Sequence, residues 1–382
     1  MRIEEIRWDN LTKLLELLLV RKRTPRKTIV RTLNIRNSTL TYLTGELNKH
    51  NMVRIEREVS GRGRPKHYIS LNDNYGNFFG VKIGRESVKI SIFTFSLKKL
   101  KEFSIELEYP FTKNLSKLRN VMTELVKKYK PLSMGIAISG TVDINNCSIT
   151  TSPILGTNES NLEEIIKEHG CEVVLCNDVD ALNIGQLVKT RRIEESSLTV
   201  TFGIGIGASY YDSIDMLLGN DGKSALEFGH SRVDYNGEKC YCGGTGCLET
   251  VASEYCLVKD RAKNINDFVR NFEQFKDRLN EIRGSAKKNS AVKRYEEILD
   301  RFSYHVSSLS LLLRPDIIWI GGEGVVNEWI FQRIKNGING YLSATYWKLN
   351  PEINQITLPD IWERGAAFLA LRKYVRNALK AS

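Results

Sequence analysis

Residues 229–249 read GHSRVDYNGEKCYCGGTGCLE, which places His230 ahead of Cys240, Cys242 and Cys247. One imidazole and three thiolates complete the tetrahedral shell that zinc prefers, and the intervening glycines let the chain turn tightly enough for the sulfurs to meet. Because a closed shell leaves no position for water, we expect a structural zinc ion rather than a catalytic one. The alternative is a set of reduced, partly buried cysteines without metal.

On both sides of this stretch, short apolar runs alternate with helical patterns, which predicts an α/β body. Strands are predicted at 78–83, 88–95, 103–109, 134–138, 173–176, 198–202, 208–211 and 317–320, and helices at 115–129 and within 254–312. A second lobe is expected to begin near Leu198.

Ahead of this body lies a strongly basic segment. Residues 1–70 hold 16 Lys/Arg against 7 Asp/Glu, whereas the whole chain has a net charge of +11. Most of the positive charge therefore sits in the first fifth of the chain. A compact basic module joined to a nearly neutral body is typical of a protein that binds a phosphate backbone, so nucleic acid is the expected partner.

The basic segment has the apolar spacing of a helix-turn-helix. Leucines between positions 11 and 18 indicate a first helix, apolar residues at 29, 30 and 33 a second, and Leu40, Leu43 and Leu47 a third. Thr24-Pro25 is predicted to be the N-cap and first turn of the second helix. The outer side of the third helix offers groups suited to base edges and phosphates, namely Asn37, Ser38, Thr41 and Tyr42.

A basic wing follows the three helices. Strand-like runs at 52–55 and 67–71 flank a glycine-rich stretch that contains Arg62 and Arg64. Guanidinium groups on such a hairpin tip suit a narrow minor groove, where negative potential is concentrated. The alternative for the stretch alone is a solvated charged loop. Together with the three helices, it predicts that residues 1–71 bind DNA.

The composition predicts a cytoplasmic protein of more than one domain. The chain has 382 residues, 41% of them hydrophobic, and no apolar run near the ~20 residues that a membrane span needs. Its first residues have no signal-peptide pattern. Seven cysteines, three of them clustered, do not match a secreted disulfide framework. We therefore expect a reducing compartment and no membrane.

Four motifs together resemble the ROK family of bacterial repressors and sugar kinases. They are Gly203-Ile-Gly-Ile-Gly207-Ala208, Glu227-Phe-Gly-His230, the Cys240/Cys242/Cys247 cluster and Gly246-Cys-Leu-Glu249. The stretch Gly63-Arg64-Pro65 also falls where repressors of this family carry a Gly-Arg-Pro wing. The resemblance covers nearly the whole chain.

The resemblance implies the fold and its division. A winged helix-turn-helix over 1–71 precedes a two-lobed body with the actin-like ATPase fold of sugar kinases. The first lobe is expected over 78–190 and the second lobe, with the zinc site, over 191–363. A carboxyl-terminal helix, 364–380, is expected to pack back on the first lobe.

The resemblance also implies a sugar site. Asn177 and Asp178 follow the predicted strand 173–176, where the family places a sugar-binding asparagine and the aspartate that acts as base toward the sugar hydroxyl. Glu227, His230 and Glu249 match the other sugar contacts. Zinc on one ring nitrogen of His230 would leave the other N–H for a hydroxyl, and carboxylates accept hydrogen bonds from vicinal hydroxyls. Ordinary surface exposure is the alternative for the two glutamates.

The nucleotide side departs from the kinase pattern. Kinase members begin the body with an Asp-x-Gly-Gly-Thr loop, whereas the aligned stretch here is Lys82-Ile-Gly-Arg-Glu86, so that an ammonium replaces the carboxylate that attracts Mg²⁺. Ile204 also stands where kinases have threonine. Vestigial nucleotide positions are Gly203, Gly205, Gly207, Gly321 and Gly322. ATP and Mg²⁺ are therefore expected only if kinase activity is retained, with Asp178 as catalytic base.

These observations predict a sugar-responsive transcriptional repressor of carbohydrate-metabolism genes. Its expected partners are operator DNA, a sugar effector and further copies of the chain in a homodimer or higher homo-oligomer. Two alternatives stay open. One is an ATP-dependent sugar kinase of the glucose or N-acetylglucosamine type, and the other is a repressor controlled by a protein partner.

Overall fold

The computed structural model describes residues 3–59, 65–143, 148–158, 170–224, 226–286, 292–357 and 359–380. Its helices are α1 (Ile3–Arg21), α2 (Arg26–Thr32), α3 (Asn37–Lys49), α4 (Leu115–Tyr129), α5 (Asp178–Thr190), α6 (Glu249–Ala252), α7 (Ile265–Arg270), α8 (Glu273–Ser285), α9 (Val292–Leu313), α10 (Glu328–Ser343) and α11 (Ile361–Lys380). Its strands are β1 (Thr24–Pro25), β2 (Val53–Glu58), β3 (Lys66–Leu71), β4 (Asn77–Ile83), β5 (Ser87–Thr94), β6 (Lys99–Glu106), β7 (Ser133–Ile138), β8 (Thr141–Asp143), β9 (Ser148–Ser152), β10 (Thr157–Asn158), β11 (Glu172–Asn177), β12 (Ser197–Phe202), β13 (Ile206–Tyr211), β14 (Ile317–Gly321) and β15 (Glu352–Gln355).

The amino-terminal part forms the predicted helix-turn-helix with a β-hairpin. Helices α1 and α3 bury the leucines of the sequence pattern, α2 buries Ile29, and β2 and β3 pair antiparallel beside them. Helix α3 ends at Lys49, and Asn51 just beyond it adopts a left-handed conformation with φ of 56°. The hairpin tip with Arg62 and Arg64 lies outside the described residues.

The prediction that Thr24 caps α2 is wrong. Thr24 and Pro25 form the short strand β1, which pairs with Ile69 and Tyr68 of β3. The helix begins one residue later at Arg26, with Pro25 as N-cap and no side-chain capping bond. Pairing with Tyr68 of the hairpin holds Pro25 in an extended backbone with ψ of 137°, so Pro25 cannot form the first helical turn and takes the N-cap position predicted for Thr24.

The next part of the chain forms a mixed five-stranded sheet in the order β11-β7-β4-β5-β6. Strands β11, β7 and β4 are parallel, while β5 and β6 continue the sheet as an antiparallel meander. The predicted strand 103–109 is shifted in the structure to Lys99–Glu106. As an edge strand, β6 exposes most of its side chains, so its first half has no apolar pattern to reveal it.

A second sheet has the order β13-β12-β14-β15 and repeats the mixed plan. Strand β12 pairs antiparallel with β13 and parallel with β14, and β14 pairs parallel with β15. Helices α7 to α10 supply apolar side chains to the core beside this sheet. The mixed α/β fold with two sheet-based parts agrees with the predicted fold class.

The carboxyl-terminal helix α11 lies directly on the first sheet. Its carbonyl oxygens approach Gly80 of β4, Gly135 of β7 and Gly185 of α5 so closely that a Cβ atom at each glycine would lie 1.8 to 2.0 Å from them. Any larger side chain at these positions would push the helix away. The backbone of α11 is thus in direct contact with the backbones of β4, β7 and α5.

One continuous apolar cluster joins the amino-terminal helices to the body. It includes leucines of α1 together with Phe368, Leu371 and Val375 of α11 and Trp319 of β14. The helix-turn-helix is therefore packed against the body in this structure. None of the described helices combines the length and apolar character that crossing a bilayer requires.

We predict that Gly135→Ala destabilises the protein by about 1–3 kcal/mol or more, because its Cβ would overlap the Ala366 carbonyl oxygen. Urea unfolding measures the change. Gly284→Ala in α8 is the matched control, since nothing lies within 4 Å of a Cβ there, and a helix gains about 0.5–1 kcal/mol from this exchange. Equal stability of the two variants would contradict the packing.

Candidate functional site

The predicted metal ligands come together in the structure. Candidate ligand atoms of His230, Cys240, Cys242 and Cys247 all lie within 4.8 Å of one another. The sulfurs of Cys242 and Cys247 are 3.5 Å apart, and His230 Nδ1 is 3.7 Å from the Cys240 sulfur. One imidazole and three sulfurs at this spacing form a group that can hold a metal ion.

Local backbone contacts gather the three sulfurs. The Cys240 amide donates to the Gly244 carbonyl at 2.7 Å, and isolated bridges join Arg232 to Cys247 and Lys239 to Thr245. Gly246 has a φ of 68°, and a Cβ there would lie 1.7 Å from the Asp234 carbonyl oxygen. Only glycine fits both conditions, so the glycines of the quoted stretch are needed to close the loop.

A nearby cation, missed by the sequence analysis, faces the cluster. The Arg232 guanidinium donates to the Cys247 sulfur and lies 3.9 Å from the Cys242 sulfur. A guanidinium in this place favours the thiolate forms that bind metal. Arg232 could have been suspected from the sequence, because it lies only two residues after His230.

His230 and Glu249 link the metal group to the glycine loop. The Glu249 carboxylate accepts from the Ile206 amide at 2.6 Å with Oε1, and Oε2 lies 4.0 Å from His230 Nδ1. Burial raises the pKa of Glu249 to about 7. The Glu249 side chain is almost fully buried and does not lie at the surface. The Ile206 amide that it binds belongs to strand β13.

Asn177 and Asp178 stand at the junction of β11 and α5. The Asn177 side chain accepts from the Val179 amide at 2.8 Å, as an N-cap, and donates to the Gly140 carbonyl at 2.9 Å. Asp178 forms an ion pair with Lys82 of β4 at 2.5 Å. The Lys82 ammonium also lies 5.8 Å from the centre of the Trp362 ring, at the start of α11. The sequence analysis named Lys82 but not its pairing with Asp178.

Glu227 is exposed and lies between the two sheet-based parts. Its Oε1 is 3.5 Å from the Thr141 hydroxyl of β8, which donates to it. Burial lowers the pKa of His230, and the Glu227 charge opposes this shift. The same Glu227 charge adds to the burial effects that raise the pKa values of Asp180 and Glu249. Three of the predicted sugar residues, Glu227, His230 and Glu249, are thus close enough to influence one another.

Asp180 is a buried carboxyl group that the sequence analysis did not single out. It is only 1% exposed, and its Oδ1 accepts from the Ser224 hydroxyl at 3.4 Å. Burial raises the pKa of Asp180 to about 7, although hydrogen bonds from Ser209 and Ser224 act in the opposite direction. Asp180 could have been suspected from the sequence, because it lies two residues after Asp178 and is flanked by Val179 and Ala181.

Both predicted nucleotide loops contact one internal carboxylate. Glu323 follows Gly321 and Gly322, and its Oε1 accepts from the Ile204 amide at 2.7 Å. A Cβ at Gly203 would lie 2.4 Å from the Glu323 carboxylate. The backbone amide between Gly203 and Gly205 is therefore already bonded to an anionic group of the chain itself. The glycines were predicted from the sequence, whereas this contact was not.

The predicted outer face of α3 is exposed in the structure. Asn37, Ser38, Thr41 and Tyr42 all point away from the buried leucines. The Thr41 hydroxyl donates to the Asn37 carbonyl at 2.8 Å and accepts from the Arg26 guanidinium. Arg7 of α1 lies 5.5 Å from the centre of the Tyr42 ring. Two arginines that the sequence analysis did not name thus border this face.

The sequence pattern of the ROK family matches residues 78–372. The chain belongs to the ROK family. The xylose repressor of Caldicellulosiruptor bescii is 24% identical to it over 362 residues, which cover 90% of this chain and 90% of that protein. A solved ROK family transcriptional regulator, a homologue of the Escherichia coli Mlc protein, matches with a TM-score of 0.72 at 20% identity and covers 98% of both chains.

A ROK family glucokinase from Streptomyces griseus, solved with glucose and AMPPNP, matches with a TM-score of 0.63 at 21% identity. It covers 77% of this chain and 99% of its own. The two structural likenesses show the fold. The ROK pattern begins at residue 78, after the helix-turn-helix and its hairpin, so this ROK chain combines the family body with an amino-terminal unit.

We predict that Asp180→Asn stabilises this ROK protein increasingly as the pH rises. The pKa of Asp180 is about 7 in the folded state, above its ordinary value of 3.8. Between these two pH values the folded state holds a proton that the unfolded chain has lost, so the free energy of unfolding falls as the pH rises. Urea unfolding at pH 5 and pH 8 should show the benefit of the variant growing by about 1–3 kcal/mol.

The control for Asp180→Asn is Asp221→Asn, because the Asp221 side chain is 60% exposed. Its effect should be the same at both pH values. A benefit of Asp180→Asn that does not change with pH would show that the buried carboxyl group does not titrate in this range.

Proposed function

We propose that this ROK protein is a sugar-responsive transcriptional repressor. Residues 1–71 form the operator-binding unit, and residues 78–190 and 191–363 form the two lobes between which a sugar binds. One observation supports this proposal above the others. The chain combines an exposed polar face on α3 with a body in which carboxylates and an imidazole lie beside a metal-binding group. The names of the repressor relatives agree with this function.

The sugar contacts come from the residues around His230. Glu227 and Glu249 supply carboxylates for hydroxyl groups, and Asp178 lies at the end of β11, where its pairing with Lys82 holds it in place. Asn177 contributes by its two backbone-directed hydrogen bonds, which fix the start of α5 and hence the position of Asp178. The spacing of donors and acceptors suits a polyol such as a pentose or hexose.

Zinc is the metal that we assign to the cluster. Three sulfurs and one imidazole match the donor set of closed structural zinc sites. His230 Nδ1 faces the sulfurs, so a metal on Nδ1 leaves the Nε2 proton for a sugar hydroxyl. The ion supplies no chemical step here. It fixes the orientation of the imidazole and the loop that carries it.

Two charges speak against phosphoryl transfer in this chain. Lys82 binds the Asp178 carboxylate, which a kinase of this family would need as a base, and an ammonium at this place opposes Mg²⁺. Glu323 places negative charge on the Ile204 amide, where an ATP phosphate would meet like charge. Both features favour a protein that binds the sugar without phosphorylating it.

Operator binding uses the exposed face of α3, with Arg26 and Arg7 beside it as phosphate contacts. In a homodimer, the two recognition helices meet half-sites about 34–36 Å apart or a multiple of that. A sugar that closes the lobes alters this spacing only if it binds the operator-bound and free forms with different affinities.

We predict that a sugar changes operator affinity by about tenfold, within the usual range of coupling between sites. A duplex is first selected by the full chain from a random pool, and fluorescence anisotropy then measures its Kd with xylose, glucose or N-acetylglucosamine. Glu227→Gln and Asp178→Asn should remove the sugar effect while leaving operator affinity without sugar intact.

Glu281→Gln is the matched control, because this acidic side chain on α8 is 67% exposed and is none of the proposed sugar contacts. It should respond to sugar as the unaltered protein does. Failure to select any duplex, or an operator affinity that no carbohydrate alters, would refute the proposed function.

We predict that the purified protein contains stoichiometric zinc, which elemental analysis by mass spectrometry measures directly. Cys242→Ser should lose most of the metal and weaken the sugar effect, because the His230 loop is no longer held. Cys256→Ser, at a half-buried cysteine outside the cluster, is the control and should keep its zinc. Metal-free protein with a full sugar response would exclude the assignment.

A further inference from the structure

A cavity of about 380 Å³ lies at the joint between the amino-terminal helix and the body. Helix α1 lines one side, α11 the other, and the turn after β13 closes the third. Its lining includes Trp8, Glu16, Asp215, Arg372, Arg376 and Lys380. The volume lies within the range of small-molecule sites, and no residue of the proposed sugar site belongs to it.

Part of the charge in this joint cavity is neutralised internally. Arg372 binds both carboxylate oxygens of Asp215 at 3.2 and 3.3 Å, and its Nε lies 3.6 Å from Glu16 Oε1. Lys13 binds Asp9 at 2.8 Å. These contacts tie α1 to the body by an ion-pair chain across the joint.

Glu16 is buried in the wall of the cavity with an unfilled hydrogen-bonding position. The residue is 7% exposed, and its Oε1 has no hydrogen-bond donor within the part of the chain that the structure describes. Arg372 is too distant from it for a hydrogen bond. A buried acceptor of this kind is costly unless a donor reaches it, and it faces the cavity.

Two cations on the opposite wall also lack an acidic partner. Arg376 and Lys380 lie one helical turn apart on α11, and no carboxylate of the described residues is within ion-pair distance of either. Lys380 instead lies 5.8 Å from the centre of the Trp8 ring. The cavity therefore combines an anion-binding edge with a buried acceptor and an indole.

We propose that this joint cavity binds a small phosphate monoester that carries hydroxyl groups. The phosphate lies between Arg376 and Lys380, where charge-assisted hydrogen bonds hold it. A hydroxyl group donates to Glu16 Oε1 and fills its empty position. An uncharged sugar has no anionic group for the two cations, and inorganic phosphate has no hydroxyl group beyond those on its phosphorus.

Such a ligand bridges the operator-binding unit and the body. It contacts Glu16 on α1 and Arg376 on α11 at the same time, so binding favours the arrangement in which the two helices are close. Arg7 precedes Trp8 and lies over Tyr42 of the recognition face. The joint is thus a second place, apart from the cleft, at which a metabolite acts on DNA binding.

The test is calorimetric titration of the full chain with glucose 6-phosphate, glucose and inorganic phosphate. Glucose 6-phosphate should bind the unaltered protein at least tenfold more tightly than either fragment, since a charge-assisted hydrogen bond is worth about 1.5–3 kcal/mol. Arg376→Ala/Lys380→Ala should weaken it by about tenfold or more, and Glu16→Gln should weaken it while leaving inorganic phosphate unaffected.

Two further variants separate this site from its surroundings. Lys373→Ala removes an exposed cation of α11 that pairs with Glu172, outside the cavity, and should leave binding unchanged. Asp178→Asn alters the proposed sugar site, and binding at the joint should persist in it.

The proposal is overturned if glucose 6-phosphate gives no binding heat, if inorganic phosphate binds equally well, or if Asp178→Asn abolishes binding while Arg376→Ala/Lys380→Ala does not. The last result would place the ester in the cleft. Failure of the operator experiment would leave this test intact, because it measures ligand binding without DNA.

Discussion

The structure depends on the contact between the backbone of α11 and three glycines of the first sheet and α5. Because Gly80, Gly135 and Gly185 have no side chain, the helix lies on the sheet at a distance that no other residue would allow. The helix then reaches from one functional region to the other. Its first turn brings Trp362 beside Lys82, and its later turns bring Tyr374 within 3.2 Å of Tyr75 in the segment that follows the hairpin. A shift of this one helix would therefore move the surroundings of Lys82 and the contact with Tyr75 together.

Charge inside the body is balanced mainly by the chain itself. Lys82 faces Asp178, and the partly buried Arg283 donates two hydrogen bonds to the fully buried Glu254, whose amide contacts the Gly203 carbonyl. Burial nevertheless raises the pKa of Glu254 to about 7, as it does for Asp180 and Glu249. In all three groups burial is the largest cause of the shift, because removal from water disfavours the charged form of a carboxyl group.

Local patterns in the sequence predicted much of this architecture. The leucine spacing of α3 and the Cys-x-Cys run each depend on residues close together in the chain, and both arrangements are found as expected. Such local patterns cannot predict contacts between residues that are far apart in the chain. Glu323 reaches Ile204 across 119 positions, and the pairing of Lys82 with Asp178 spans 96. The start of α2 was misplaced for the same reason, since Thr24 is held by a strand more than forty residues away.

The bond from the Ile204 amide to Glu323 fixes the resting shape of the glycine loop. A buried backbone amide needs an acceptor, which can come from the chain, from water or from a ligand. Here a covalently attached carboxylate satisfies the loop permanently. The resting shape of the glycine loop therefore needs no bound nucleotide, because its acceptor is supplied by the fold itself.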